Sequence, residues 1–100
     1  MQVFDPIAFG QLTADDLGLQ SELLQILRGE RSTIAAEAAQ EQPAVFSHKL
    51  RGLAANLCAL QLTQMAHDWT AVPDQSKLLE LEVALDALEH AIAEHLARDS

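Results

Sequence analysis

Ser47-His48-Lys49-Leu50-Arg51-Gly52-Leu53-Ala54-Ala55-Asn56-Leu57-Cys58-Ala59 is where a reading of this chain has to begin. Only here do a reactive side chain, two cations and a mid-segment glycine coincide. On a helix, His48, Arg51, Gly52 and Ala55 share one face at i, i+3, i+4 and i+7. Leu50, Leu53, Ala54 and Leu57 share another at the same spacing. One helix could thus bury a leucine stripe while turning an imidazole, a guanidinium and a bare patch of backbone outward. Such a face suits a surface nucleophile better than a closed active site.

The composition around this stretch points to an all-α chain. It has 100 residues, 49% hydrophobic and only 4% aromatic, with alanine and leucine dominant and few β-branched residues. That is enough for one domain, 1–100, with a modest core. No apolar run approaches membrane-spanning length, and the opening Met1-Gln2-Val3-Phe4-Asp5-Pro6 lacks the basic and apolar regions of a secretory signal. A single cysteine excludes an internal disulfide and fits a reducing compartment, so a cytoplasmic location is expected. The net charge of −9 argues against nucleic acid or an anionic membrane as partner. The cations are nevertheless clustered: Arg28, Arg31, Lys49 and Arg51 are four of the six. From Asp74 onward seven acids face only Lys77 and Arg98. A locally cationic neighbourhood around His48 and ordinary solvated helix faces both fit this distribution.

In chain order, Asp5-Pro6 marks a helix start that runs to about Leu12, with Phe4, Ile7 and Phe9 as apolar anchors. Thr13-Ala14-Asp15-Asp16 resembles a capping box with Asp in place of Glu. The helix that follows carries Leu17, Leu24, Leu27 and Ile34, widened by Leu23 and Ile26, and is expected to continue through Gly29 to about Ala39. A polar link ends at Pro43, which opens the helix bearing His48, with Val45, Phe46, Leu50, Leu53 and Leu57 toward the core. The apolar pattern continues through Leu60, Leu62, Met65, Ala66 and Trp69, and periodicity leaves open whether this is one helix or two. A break at Asp68 to Gln75 precedes the last helix, capped by Asp74 or Ser76. There Leu78, Leu81, Leu85, Leu88 and Ile92 recur at 3, 4, 3, 4 opposite an acidic face. The expected fold is an antiparallel four-helix bundle with a short extra N-terminal helix.

The common catalytic and metal-binding templates find no match. His90 and His95 are five residues apart and fall on different helix faces, so no metal site is expected. Cys58 fits a core or tight-turn position better than a reactive one. His48 differs because its neighbours make chemical sense together. A neutral imidazole is nucleophilic near pH 7. A cation at i+3 could neutralise a transferred group, and a glycine at i+4 clears the approach of a second protein. A solvated histidine beside an incidental glycine is the blander alternative.

The stretch Phe46 to Ala59 resembles the signature of histidine-containing phosphotransfer (HPt) domains, roughly A-H-x-L-K-G-S-A-x-x-L-G-A. Phe4-Asp5-Pro6, Asp15-Asp16 and the Leu62-Met65-Ala66-Trp69 stripe also have counterparts in that family. The resemblance implies that His48 is the phosphoacceptor. It would exchange a phosphoryl group with the aspartate of a response-regulator receiver domain, in a relay fed by a sensor or hybrid histidine kinase. Arg51 stands where lysine is usual and keeps the charge. Gly52 matches the glycine that admits the receiver, Lys49 adds charge nearby, and Ala44, Val45 and Ala55 would border the partner surface. The family also implies a turn at Leu57-Cys58-Ala59 that splits the long apolar stretch into a hairpin.

Three positions depart from the pattern. Leu53 replaces serine and Cys58 replaces glycine, so the turn lacks its easy positive-φ residue unless Asn56 or a shifted loop supplies one. Thr70 stands where a longer Glu or Gln orients the histidine ring in many members, leaving Gln64 or His67 as substitutes. The chain would be a monomeric carrier with no ATP site and no cofactor, Mg²⁺ being held by the receiver, and no enzyme in its own right. The alternative from another class is a helical adaptor or coiled-coil dimerisation module built on the Leu78 to Ile92 seam.

Overall fold

The structure, a computed structural model, describes residues 3–99; Met1, Gln2 and Ser100, at the ends of the expected domain, lie outside the described residues. Five α-helices follow one another: α1 (Pro6–Leu12), α2 (Leu17–Gln40), α3 (Pro43–Leu57), α4 (Leu60–His67) and α5 (Gln75–Asp99). No strand occurs among the described residues, in keeping with the alanine- and leucine-rich composition. Gly29 leaves α2 unbroken. No helix among the described residues is long and apolar enough to cross a membrane.

Aspartates open three of the helices. Asp5 Oδ1 accepts from the amides of Ile7 and Ala8, with Pro6 in the first turn. Asp74 Oδ1, of the two caps considered for α5, accepts from the Lys77 amide. At α2 the cap is Asp16, whose Oδ1 accepts from the Leu19 amide. The capping box expected at Thr13 is therefore not formed. Thr13 instead ends α1, and its hydroxyl is turned inward. It donates to the Phe9 carbonyl at 2.8 Å and accepts from Gln20 Nε2 at 2.9 Å. Gln20 is only 1% exposed, so this hydroxyl satisfies the buried Nε2 of its amide, while Oε1 has no hydrogen-bond partner among the described residues. The link between α1 and α2 passes through two left-handed residues, Ala14 and Asp15. A Cβ on Gly10 would meet Asp15 Oδ1 at 2.7 Å, so any larger residue there would push the Asp15 carboxylate aside.

The buried side chains form one cluster. α2 packs on α5 and α3 on α4, with α4 against α5 and α2 against α3 completing the enclosure. The Leu78 to Ile92 seam behaves as its spacing suggests, with Leu81, Leu85, Leu88 and Ile92 buried. Phe46 and Trp69 meet across α3 and the end of α4, ring centroids 4.9 Å apart. Each such fully buried side chain contributes about 1.5–3 kcal/mol of transfer free energy. Five expected core residues prove exposed: Ile7 (75%), Leu17, Ile26, Val45 and Leu60. All but Leu17 lie one or two positions from a residue that takes the inward direction. Phe9 displaces Ile7, Leu27 displaces Ile26, Phe46 displaces Val45 and Leu62 displaces Leu60, as 100° per residue requires.

The turn between α3 and α4 falls at the expected place. Cys58 itself adopts the left-handed conformation (φ 51°, ψ 41°), so neither Asn56 nor a displaced loop is needed. The Ala59 amide donates to the Ala54 carbonyl at 2.9 Å and the Cys58 amide to that of Ala55, a pattern that closes helix ends. The left-handed region costs a non-glycine residue about 1 kcal/mol, which these bonds offset. The Asp5 amide then donates to the Cys58 carbonyl at 2.9 Å, tying the start of α1 to the hairpin.

Candidate functional site

The outward face of α3 is fixed by its inward one. Phe46, Leu50, Ala54 and Leu57 are buried, so the opposite side of the helix must face solvent. That side carries His48, Gly52 and Ala55, with Ala44, Val45 and Arg51 beside them, all exposed. His48 stands in the middle of this face. No hydrogen bond, ion pair or ring contact engages it among the described residues. On the α4 side its neighbour Ser47 donates from Oγ to the Ala66 carbonyl at 2.8 Å. Ala66 lies in the last turn of α4, where helix carbonyls lack intrahelical partners, so Ser47 fastens α3 to that end.

The two cations beside His48 have different surroundings. Lys49 points away toward α2, with Nζ 2.5 Å from Glu41 and 3.6 Å from Glu37. The hydrogen bond to Glu41 is the main reason its ammonium pKa lies above the ordinary lysine range. Arg51 has no ion pair among the described residues and is the free cation of this face. Gly52 is exposed, and a Cβ built on it would meet nothing within 4 Å. Nothing among the described residues therefore demands a glycine at that position, although glycine costs the helix about 1 kcal/mol relative to alanine.

The ring-orienting candidates are not brought onto His48. Thr70, Gln64 and His67 are all exposed, and Gln64 Nε2 donates instead to the carboxylate of Asp68 at 3.3 Å and 3.4 Å. Cys58 is half-buried, and burial first, then the nearby Asp5, pushes its thiol pKa up, which makes it a poor nucleophile at neutral pH. His95 packs in an aromatic group with Phe4 and Phe9, with centroids about 6 Å apart, while His90 is exposed. Among the described residues no group of three His, Cys, Asp or Glu side chains could hold a metal ion.

Sequence reasoning did not find two features. One is the Ser47 bond, which depends on how α4 approaches and left no mark in the pattern. The other is a charged cluster between α2 and α5. Arg28 Nε lies 2.7 Å from Glu89, and Arg31 Nη1 lies 2.8 Å from Glu89 and 2.6 Å from Asp86. The three-residue spacings of Arg28 with Arg31 and Asp86 with Glu89 were a readable signal that each pair shares a helix face. Models of known protein families, characterised proteins and solved structures provide no match to this chain.

Proposed function

We propose that the chain is a phosphorelay intermediate of the histidine-containing phosphotransfer kind, with His48 as phosphoacceptor. The observation that carries this reading is the state of the α3 face. An unengaged imidazole stands at its centre, beside an unpaired guanidinium and a glycine that internal packing does not require. In this reading the four longer helices form an antiparallel up-down bundle, with α1 as the short leading helix.

The chemistry is a phosphoryl exchange. The Nε2 lone pair of His48 forms a bond to phosphorus as the bond from phosphorus to the aspartyl oxygen of a receiver domain breaks. The aspartate leaves as a carboxylate with the electron pair. The reverse step loads a second receiver. Arg51 offers charge-assisted hydrogen bonds to the transferred group, and Gly52 leaves room for the receiver to approach. Lys49, held by Glu41 and Glu37, has a mainly structural role. The receiver would bring Mg²⁺ and the acidic pocket, and a sensor or hybrid kinase would supply the phosphoryl group. The partner surface extends from His48 over Ala44, Val45 and Ala55, and the encounter would be small in area and transient. The chain would act in the cytoplasm as a monomeric carrier without an ATP site of its own.

The adaptor reading has less support, because the seam it relies on is buried in the chain's own core. Incubation with a phosphorylated receiver domain tests the proposal. Label should pass to the wild-type chain and not to His48→Gln, with both equally folded by circular dichroism. Equal labelling of the two would remove His48 from the reaction.

A further inference from the structure

A second surface lies away from the His48 face, between the later half of α2 and the first half of α5. Two adjoining hollows open there, about 600 Å³ and about 490 Å³, which share Ala35 and Glu82 in their walls. None of their lining residues belongs to α3 or α4. The α2 wall carries the small residues Ser32 and Ala35 beside Arg31. The α5 wall carries Leu78 and Leu79, with Val83 one turn beyond Leu79. Leu79 is 63% exposed and Val83 58%, although each is apolar and central to a stable helix. Apolar side chains at i and i+4 beside an open groove are the pattern that receives an amphipathic helix.

The charges decide what kind of helix. Arg31 lies in the second hollow, but Asp86 and Glu89 neutralise it. Glu82, common to both hollows, has no ion pair among the described residues, and neither has Glu80 beside it. The groove is therefore apolar at its floor and negative at its rim. A second copy of this chain is a poor occupant. Its net charge is −9, and Arg28, Arg31 and Lys49 are engaged within the chain, while Lys77 sits over the Trp69 ring at 5.8 Å. Arg51 and Arg98 stand on α3 and α5, whose leucine stripes are buried in the chain's own core, so neither helix offers a leucine face flanked by cations.

We propose that the α2–α5 groove is a docking site for a basic amphipathic helix of another protein, with Leu79 and Val83 as apolar contacts and Glu82 as the selecting charge. The site is independent of His48 chemistry, so a partner could remain bound there while the α3 face is occupied. Opposite charge at the rim would speed encounter and exclude acidic helices.

The test uses the full chain, ¹⁵N-labelled, and a synthetic helix of about 15 residues with leucines on one face and lysines flanking them. Amide shifts should change at Ala35, Leu79, Glu82 and Val83 and not at His48 or Gly52. Leu79→Ser and Glu82→Lys, both at exposed positions, should each weaken binding about tenfold while leaving the helical signal intact. The same helix with glutamates in place of lysines should not bind. Shifts centred on His48, equal binding by Glu82→Lys, equal binding of the acidic probe, or self-association that Leu79→Ser abolishes would each overturn the proposal.

Discussion

The α2–α5 junction and the outward face of α3 each display charged groups on a helix surface, yet the two regions use them in opposite ways. At the junction, Arg28 and Arg31 meet Glu89 and Asp86, and the hydrogen bonds from Arg28 and then Arg31 hold the Glu89 carboxyl below its ordinary 4.5. On α3, His48 and Arg51 have no partner among the described residues, whereas Lys49, turned toward α2, is engaged. Charges used for folding are paired across helices. Charges kept available for an encounter are left solvated, beside a backbone position with no side chain. The contrast between Lys49 and Arg51, two residues apart, shows that helical phase decides which role a cation takes.

The contrast can be tested, starting with the largest effect. Leu85→Asp places a carboxylate in the core at a position only 1% exposed. It should cost more than about 4 kcal/mol and abolish the helical circular dichroism signal. A folded Leu85→Asp chain that had merely lost self-association would restore the adaptor reading. Next, Arg51→Ala should slow phosphoryl transfer about tenfold to a hundredfold without changing the melting temperature. Lys49→Ala should do the reverse, lowering the melting temperature slightly while leaving transfer nearly intact; equal slowing by both would erase the distinction.

The Glu89 cluster predicts a pH dependence with a definite sign. Because the native carboxyl binds its proton less readily than the unfolded one, its stabilisation is present above about 4.5. It is lost as the pH falls from there toward the native value. Denaturant melts from pH 6 to pH 3 should show this decline, and Glu89→Gln should flatten it. The smallest effect compares two glycines that have no neighbour within 4 Å of a built Cβ. Gly29→Ala and Gly52→Ala should each stabilise the chain by up to about 1 kcal/mol in urea melts. Only Gly52→Ala should slow transfer; if it does not, clearance for a partner is not why Gly52 is there.

Much of this architecture was legible because it follows from spacing. The buried Leu81, Leu85, Leu88 and Ile92 repeat, the Asp5-Pro6 start and the Pro43 start all appear where the periodicity and capping residues place them. The turn at Cys58 came from the family resemblance rather than from the pattern, since nothing in the pattern marks a cysteine for a left-handed turn. Thr13 was misread because a hydroxyl can cap the next helix or turn inward, and the buried Gln20 amide seven residues on decided the matter. Val45 and Leu60 were assigned inward by composition, although one helix turn has room for only one or two core-facing residues. At the candidate site, the shared face of His48, Arg51 and Gly52 was readable from spacing. The capture of Lys49 by Glu37 and Glu41 was not, because it depends on the crossing of α2 over α3.

The hydrogen bond from the Asp5 amide to the Cys58 carbonyl joins residues far apart in the chain. The contacts it depends on close loops of very different length. The α3–α4 hairpin needs only a short loop to close, whereas bringing residue 5 to residue 58 encloses all of α1, α2 and α3 and carries a larger closure entropy. The hairpin is therefore expected to form before α1 docks, with α1 as a latch set onto a finished turn. In the native protein the same order runs backward. The segment before α2 should be the first to lift away, exposing the rings of Phe4 and Phe9 while the helix bearing His48 stays folded.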